Sequence, residues 1–276
     1  MSCLLSFGHG FSAQALVPFL DGWRVIGTSR TVGKRTQKGV ESVFFPGCDM
    51  GPYLDDATHL LISAGPDEAG DPVLRELRED IAKREFEWVG YLSTTGVYGD
   101  HQGNWVDEGT PLRPSTRRGK WRAEAEAEWQ TMGLPLHIFR LAGIYGPGRG
   151  PFSKVREGMA RRIIKPAQVF SRIHVEDIAQ VLAASIAQPN SGSVYNLCDD
   201  DPAPPQDVIG HAAELLGLPL PEAVEYEKAN LTPMARSFYA ENKRVRNDRI
   251  KDELGVVLKY PDYRVGLQAL LDLEVK

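Results

Sequence analysis

Residues 2–20 constrain the fold of this 276-residue chain more than any other stretch. A short apolar run is followed by a glycine-rich turn and then by apolar residues at helical spacing, which predicts a strand, a tight turn and a helix. Gly8 permits the turn, Gly10 leaves room for a pyrophosphate, and the small Ala13 lets the helix pack closely on the strand. This is the G-x-G-x-x-A pattern of dinucleotide-binding proteins, although a plain strand-to-helix turn has the same spacing.

The next predicted strand ends at Ser29 and Arg30, where the preference for one dinucleotide is decided. Sites for NAD usually carry an acidic residue here, whereas an arginine accommodates the extra phosphate of NADP. Arg30 therefore predicts NADP, with NAD as the less favoured cofactor. Lys34 and Arg35 either add positive charge to this site or form a solvated basic loop. The residues predicted from this pattern to contact the cofactor are Gly8, His9, Gly10, Phe11, Ser12, Ser29, Arg30, Ala64 and Gly65.

Composition argues against several other classes of protein. The net charge is -5 and no recognition motif is present, so we expect no nucleic-acid partner. No run approaches 18 apolar residues and the first residues lack the pattern of a leader, so we expect a cytoplasmic protein without a membrane partner. Cys3, Cys48 and Cys198 are far apart, which predicts free thiols, and the six histidines show no metal-ligand spacing, so no metal is expected.

Short apolar segments alternate with helical patterns through the first half of the chain, which predicts an α/β fold with a Rossmann-type doubly wound parallel sheet. Predicted strands cover residues 41–45, 59–63, 87–94 and 136–141, and predicted helices cover residues 72–84 and 117–132. After residue 147 the pattern predicts a helix at 152–160, a hairpin around 163–170, a helix at 175–187, a strand at 193–197 and a helix at 206–216.

These patterns predict a dinucleotide-binding domain mainly over residues 1–150 and a smaller C-terminal substrate lobe mainly over residues 151–276. The helix at 175–187 and the strand at 193–197 are expected to return to the first domain. A substrate cleft would then lie between the two parts.

Five further segments, in chain order, resemble the extended short-chain dehydrogenase/reductases, a superfamily that includes the NAD-dependent epimerases and dehydratases. They are residues 93–99 (STTGVYG), 106–114 (VDEGTPLRP), 140–148 (RLAGIYGPG), 172–179 (RIHVEDIA) and 194–197 (VYNL). The turn at residues 8–13 departs from the G-x-x-G-x-x-G of that superfamily, so the chain resembles an atypical branch. The resemblance implies a small polar substrate, for example one like a nucleotide sugar, and a monomer or a homodimer.

In the superfamily a Ser or Thr binds the substrate oxygen, a Tyr transfers the proton, and a Lys four residues later holds the nicotinamide ribose. The resemblance places Thr94 at the first position and, without a gap, Arg118 and Arg122 at the other two. A slipped register would place Thr116 and Lys120 there instead. Neither register supplies a tyrosine.

An arginine cannot replace that tyrosine as a proton shuttle, because its guanidinium stays protonated below about pH 12. Arg118 can still bind a carboxylate or phosphate, and Arg122 can still reach the cofactor ribose. Alternatively, both belong to a charged helix face.

Other polar side chains are candidates for the cleft. Tyr98 follows a strand end and is a candidate substitute acid, and Thr95 and Tyr145 are candidates for binding substrate. Asn242 and Arg244 lie in a segment that resembles one closing the substrate lobe of relatives. The tyrosines can instead be packed with bonded hydroxyls, and Asn242 and Arg244 can serve as cap and surface charge.

Two functions therefore remain open on the sequence. One is an NADP-dependent oxidoreductase, epimerase or dehydratase, with Thr94, Tyr98, Arg118 and Arg122 as catalytic candidates. The other is a dinucleotide-binding regulator or partner-binding module with little turnover. The missing tyrosine favours the regulator, whereas Thr94 and the segment at 140–148 favour the enzyme, which is the function we predict.

Overall fold

A computed structural model describes residues 1–31, 33 and 37–274, so the basic residues Lys34 and Arg35 lie outside the described part. The strands are β1 (Cys3–Phe7), β2 (Arg24–Ser29), β3 (Val40–Phe44), β4 (His59–Ile62), β5 (Trp88–Thr94), β6 (Trp105–Val106), β7 (Leu136–Leu141), β8 (Gly143–Tyr145), β9 (Arg162–Ile164), β10 (Arg172–His174), β11 (Val194–Leu197), β12 (Ala223–Glu225) and β13 (Arg244–Val245). The helices are α1 (Phe11–Leu16), α2 (Gly51–Asp56), α3 (Pro72–Ala82), α4 (Arg117–Gln130), α5 (Phe152–Arg156), α6 (Val175–Ala187), α7 (Pro205–Leu215), α8 (Pro233–Tyr239), α9 (Asp248–Asp252) and α10 (Tyr263–Glu274).

Seven strands form a parallel sheet in the order β3-β2-β1-β4-β5-β7-β11. The order reverses direction after β1, since β2 and β3 lie on one side and β4 to β11 on the other. The predicted Rossmann-type doubly wound sheet is confirmed. The carboxyl ends of β1 and β4 meet at this switch point, which is where open α/β sheets bind ligands.

Both faces of the sheet are covered, so its strands are apolar on both sides. Leu5 of β1 packs in a core with α2, α3 and α4, which contribute residues such as Leu77 and Trp129. The neighbouring Leu4 points to the opposite face and packs in a core with α1, α6 and α9, including Ile178. This alternation explains why β1 is a continuous apolar run.

A smaller core lies in the C-terminal part, where α5, α7 and α10 contribute Phe152, Val208 and Leu267. The helix α9 lies elsewhere, because Ile250 is buried in the core that covers Leu4. This return of residues 248–258 to the large sheet has no counterpart among the elements predicted from the sequence.

The hairpin predicted around residues 163–170 is wrong. The strand β9 pairs in parallel with the distant β12, and Phe170 forms an antiparallel bridge with Ala203. The helix predicted over residues 152–160 ends at Arg156. The hairpin error arises because the strand partners lie tens of residues away, where local periodicity carries no signal.

Gly90 of β5 provides a test of this packing. A Cβ at Gly90 would lie 2.1 Å from Cη2 of Trp88, whose ring is held by a 3.1 Å bond from Nε1 to Oγ of Ser185. Gly90→Ala should therefore lower the free energy of unfolding by about 1–3 kcal/mol in urea titrations, because the indole cannot move freely. Gly109→Ala, in an exposed loop, is the matched control; equal stability of the two variants would contradict the packing.

Candidate functional site

The glycine turn after β1 is attached to both neighbouring strands. Gly8 has a φ of +76°, and a Cβ there would lie 2.7 Å from the backbone nitrogen of Ala64, so a side chain is excluded. The N–H of Gly8 donates to Oγ1 of Thr28 at 2.9 Å, and the N–H of His9 donates to the carbonyl oxygen of Thr28 at 3.0 Å. The turn is thus fixed at the carboxyl edge of the sheet.

The first turn of α1 has no side-chain cap, because Gly10 occupies the N-cap position. Its outward N–H groups are available to a ligand or to water. Ser12 is buried in this turn, while Phe11 is half-buried with the guanidinium of Arg149 5.6 Å from its ring centroid. The start of α1 therefore presents backbone donors beside an aromatic ring and a cation.

The ring of His9 packs on β2. It is 4% exposed and lies over Gly27, where a Cβ would come within 2.6 Å of Cγ. The interpretation of His9 as a solvent-facing ring is therefore wrong, whereas its role as a pyrophosphate donor stays a prediction. Gly27 was not predicted as a site residue, although its position two residues before Ser29 could have indicated its closeness to the turn.

At the end of β2 the two predicted cofactor residues differ in their environment. Oγ of Ser29 accepts from the N–H of Thr31 at 3.1 Å, so this hydroxyl is occupied by its own loop. Arg30 is exposed and forms no ion pair with any residue of the described chain. Its guanidinium is free to meet an anion.

Arg122 is half-buried and bonded to β5 rather than lying on a solvent-facing helix surface. Its Nη1 donates to the carbonyl oxygen of Leu92 at 2.6 Å and to the hydroxyl of Tyr91 at 3.1 Å. Its Nη2 is 3.3 Å from the position that a Cβ on Gly65 would take. Arg122 thus joins β5 to the Ala64-Gly65 loop after β4, and the interpretation as a charged helix face is wrong for this residue.

The first turn of α4 separates the two possible registers. Thr116 is the N-cap, and its Oγ1 accepts from the N–H of Gly119 at 3.1 Å, while Lys120 is exposed. Arg118 is also exposed, and its Nη1 lies 3.9 Å from Sδ of Met234 on α8. The capping role of Thr116 argues against the slipped register.

Thr94 ends β5 next to this turn. Its Oγ1 accepts from the N–H of Gly96 at 3.2 Å and begins the short 3₁₀ helix Thr95–Tyr98, in which Thr95 is half-buried. A Cβ at Gly119 would lie 2.7 Å from the carbonyl oxygen of Gly96, so α4 is packed directly on this helix. The close packing brings Thr94 and the start of α4 together.

Tyr98 is not available as an acid. It is fully buried; its hydroxyl donates to Oδ1 of Asn196 at 2.7 Å and accepts from Nη1 of Arg140 at 3.0 Å. Arg140 is paired at 2.8 Å with the buried carboxylate of Glu126. Burial raises the pKa of Tyr98 to about 12. The predicted catalytic role of Tyr98 is contradicted, and the residue belongs to a structural network.

The predicted substrate-binding roles of three other residues are also contradicted. Tyr145 is buried, with its ring edge against His174 and its hydroxyl 3.5 Å from the carbonyl oxygen of Asp262. Asn242 bonds through its side-chain amide to the backbone of Ala167 and Val169, and Arg244 donates to the carbonyl oxygen of Gly103. These side chains hold loops together.

A polar cluster next to α4, which the sequence motifs did not indicate, is formed by Ser115, Glu241 and Lys243. Oγ of Ser115 donates to Oε1 of Glu241 at 2.6 Å, and Nζ of Lys243 donates to Oε2 of Glu241 at 2.7 Å and to the carbonyl oxygen of Gly99 at 2.8 Å. Glu241 and Lys243 flank Asn242 in the sequence, and this pair of opposite charges could have indicated the cluster.

Comparison with known proteins gives the family. No family model matches the chain. Protein YeeZ of Escherichia coli strain K12 is 30% identical over 266 residues, covering 87% of this chain and 89% of that protein. The chain belongs to the family of this protein. It is also a member of the extended short-chain dehydrogenase/reductases. A 3-diazoavenalumate denitrifying reductase from Streptomyces sp is 29% identical over 59% of this chain and 58% of its own length.

Solved structures of this superfamily share the fold. A functionally unknown conserved protein from Silicibacter pomeroyi DSS is 64% identical, with a TM-score of 0.93 and 99% of each chain covered. A putative NAD-dependent epimerase/dehydratase from Methylobacillus flagellatus is 26% identical, with a TM-score of 0.76 over 100% of this chain and 99% of that one.

Among the helices of the described residues, none combines the length and the apolar character that a membrane span requires.

Tyr98→Phe tests the structural role of this hydroxyl. The variant should lose about 1–3 kcal/mol of stability at pH 7, because Arg140 and Asn196 lose a buried partner. The folded-state pKa of Tyr98 is raised above the unfolded value of about 10. Its contribution to stability is therefore complete below pH 10 and lost between pH 10 and 12. Urea titrations should therefore show that the free energy of unfolding falls less between about pH 10 and 12 in Tyr98→Phe than in the wild type.

The control is Tyr53→Phe, which removes the hydroxyl of a half-buried tyrosine outside this network. A Tyr98→Phe protein as stable as the wild type at every pH would show that the network contributes nothing.

Proposed function

We propose that this protein is an NADP-dependent oxidoreductase, epimerase or dehydratase acting on a small polar substrate. The observation that carries the proposal is the glycine turn at residues 8–10, which excludes side chains and leaves the first-turn N–H groups of α1 uncapped at the switch point of the sheet. Its fit to a pyrophosphate supports a bound dinucleotide. Similar folds occur in a Bacillus cereus UDP-glucuronic acid 4-epimerase in complex with NAD, at 16% identity.

The preference for NADP rests on Arg30. Its exposed guanidinium at the end of β2 has no carboxylate partner among the described residues, and an arginine at this strand end accommodates the 2′-phosphate of NADP. The carboxylate that would bind the ribose hydroxyls of NAD is missing from Thr28-Ser29-Arg30.

The remaining residues suggest how a substrate would be held. A bound nicotinamide would supply or accept hydride at the cleft. Arg122, fixed between β5 and Gly65, is placed to bind the adjoining ribose. Thr94 and Thr95 would orient the substrate oxygen, and exposed Arg118 would bind a carboxylate or phosphate of the substrate. We further propose a cytoplasmic monomer or homodimer with small-molecule ligands.

The second candidate function is a dinucleotide-binding regulator with little turnover. It is favoured by the first turn of α4, where Arg118 stands in place of a tyrosine and stays protonated. The buried Tyr98 does not replace that tyrosine. Binding of cofactor without hydride transfer to any acceptor would support this candidate.

Titration of NADPH and NADH, followed by nicotinamide fluorescence, tests the cofactor proposal. The wild type should prefer NADPH, and Arg30→Ala should lose most of that preference. Gly10→Asp should abolish binding, since it places a carboxylate at the pyrophosphate. A Cβ at Gly10 would make only a 3.6 Å contact with the carbonyl oxygen of Gly8, so the fold should tolerate the change.

Gly10→Ala and Lys83→Ala are the matched controls, the first for the backbone and the second for loss of an exposed charge directly after α3. The proposal fails if the wild type binds neither dinucleotide. If Arg30→Ala keeps the full preference, the assignment of NADP to Arg30 is wrong.

A further inference from the structure

We propose that Ser115, Glu241 and Lys243 form a proton-transfer chain that replaces the missing tyrosine. The inference rests on the proposed hydride-transfer function, because reduction of a carbonyl also needs a proton. Ser115 would be the residue that touches the substrate oxygen, and Glu241 and Lys243 would supply its proton.

The cluster is continuous and largely shielded from water. The hydroxyl of Ser115 is 2.6 Å from Oε1 of Glu241, and the ammonium of Lys243 is 2.7 Å from Oε2 of the same carboxylate. The side chains of Glu241 and Lys243 are each 10% exposed. Such a pair is held by strong charge-assisted bonds, whereas an exposed ion pair would exchange its partners with solvent.

Other contacts fix the position of Glu241. Its carbonyl oxygen accepts from Nε2 of Gln168 at 2.8 Å, and the next residue, Asn242, donates its N–H to Oδ1 of Asp100 at 2.8 Å. Lys243 is held in addition by the carbonyl oxygen of Gly99. The backbone on both sides of the carboxylate is therefore anchored to the loops around α4.

The chain ends where the superfamily carries its acid. Ser115 is exposed, directly precedes the N-cap Thr116, and stands three residues before Arg118, the position of the missing tyrosine. The same turn is packed on the 3₁₀ helix that follows Thr94, since Gly119 lies against Gly96. Ser115 thus joins the buried pair to the exposed loop at the start of α4.

The proton balance is complete within these groups. When hydride adds to the substrate carbonyl carbon, the carbon–oxygen π pair moves to oxygen, which takes the proton of Ser115. At rest the hydroxyl of Ser115 donates to the ionised Glu241, so it must turn to the substrate oxygen as it gives up its proton. Lys243 passes a proton to Glu241, Glu241 passes it on to Ser115, and solvent reprotonates Lys243. In the oxidative direction each proton moves the opposite way. Arg118 takes no part, because its guanidinium does not give up a proton.

Two acceptors test the proposal with NADPH. Reduction of 9,10-phenanthrenequinone needs a proton, whereas hydride transfer to benzenediazonium gives benzene and N₂ without one. Ser115→Ala and Glu241→Gln should slow quinone reduction by about 100-fold, the usual effect of removing a positioned acid, and leave diazonium reduction unchanged after subtraction of the uncatalysed rate. Ser115→Thr should restore quinone reduction.

A second readout uses the protein without cofactor. The ¹⁵N ammonium resonance of Lys243, assigned by its loss in Lys243→Met, should be protected from exchange and should lose that protection in Glu241→Gln. Lys251→Met, which breaks the Lys251–Asp200 pair on the surface, is the matched control and should behave as the wild type. Thermal unfolding and NADPH affinity are measured for every variant.

The outcomes separate the two proposals. A wild type that reduces diazonium but not quinone, or variants that reduce quinone at the wild-type rate, would overturn the proton chain and leave hydride transfer standing. An unprotected Lys243 ammonium would overturn it as well. A wild type that binds NADPH but reduces neither acceptor would overturn both proposals, and failure to bind NADPH would overturn the proposed function itself.

Discussion

The close approach of the turn at residues 8–10 to its two neighbouring strands is the constraint on which the site depends. Gly8 lies so near Ala64 that a side chain cannot fit, and His9 covers Gly27 on the other side. Two hydrogen bonds from the turn to Thr28 fix the distance between the turn and β2. The carboxyl ends of β1, β2 and β4 are thereby held together. Most of the residues proposed to contact the cofactor follow these three strand ends.

The start of α4 is the second organising feature. The resemblance to the superfamily predicts Arg118 at the position of the proton-donating tyrosine, and the buried Tyr98 is hydrogen-bonded to Arg140 and Asn196. The structure nevertheless keeps titratable groups beside this turn, in the pair formed by Glu241 and Lys243. A buried Glu–Lys pair is weak evidence for stability, so we assign the contact of this pair with the exposed Ser115 to chemistry rather than to folding.

Much of the architecture could be predicted from sequence, since the seven-stranded parallel sheet follows from alternating apolar runs and helical patterns. The errors fall where partners are distant. The strand β9 pairs with β12 some sixty residues away, and α9 returns to the large sheet. For the site, glycines and strand ends indicated the turn and the position of Arg30. Four other side chains were assigned wrongly because their hydrogen-bond partners cannot be read from neighbouring residues; these are Tyr98, Tyr145, Asn242 and Arg244.

The sequence by itself determined the strand–turn–helix start, the parallel α/β class, the family and the absence of a tyrosine at residue 118. These properties depend on local spacing and residue type. Only the tertiary structure decided which polar side chains are free and which are occupied. It bonded Arg122 to β5, buried His9, and joined Ser115 to Glu241 across 126 positions of the chain. Such pairings depend on how distant segments pack, and no periodicity encodes them.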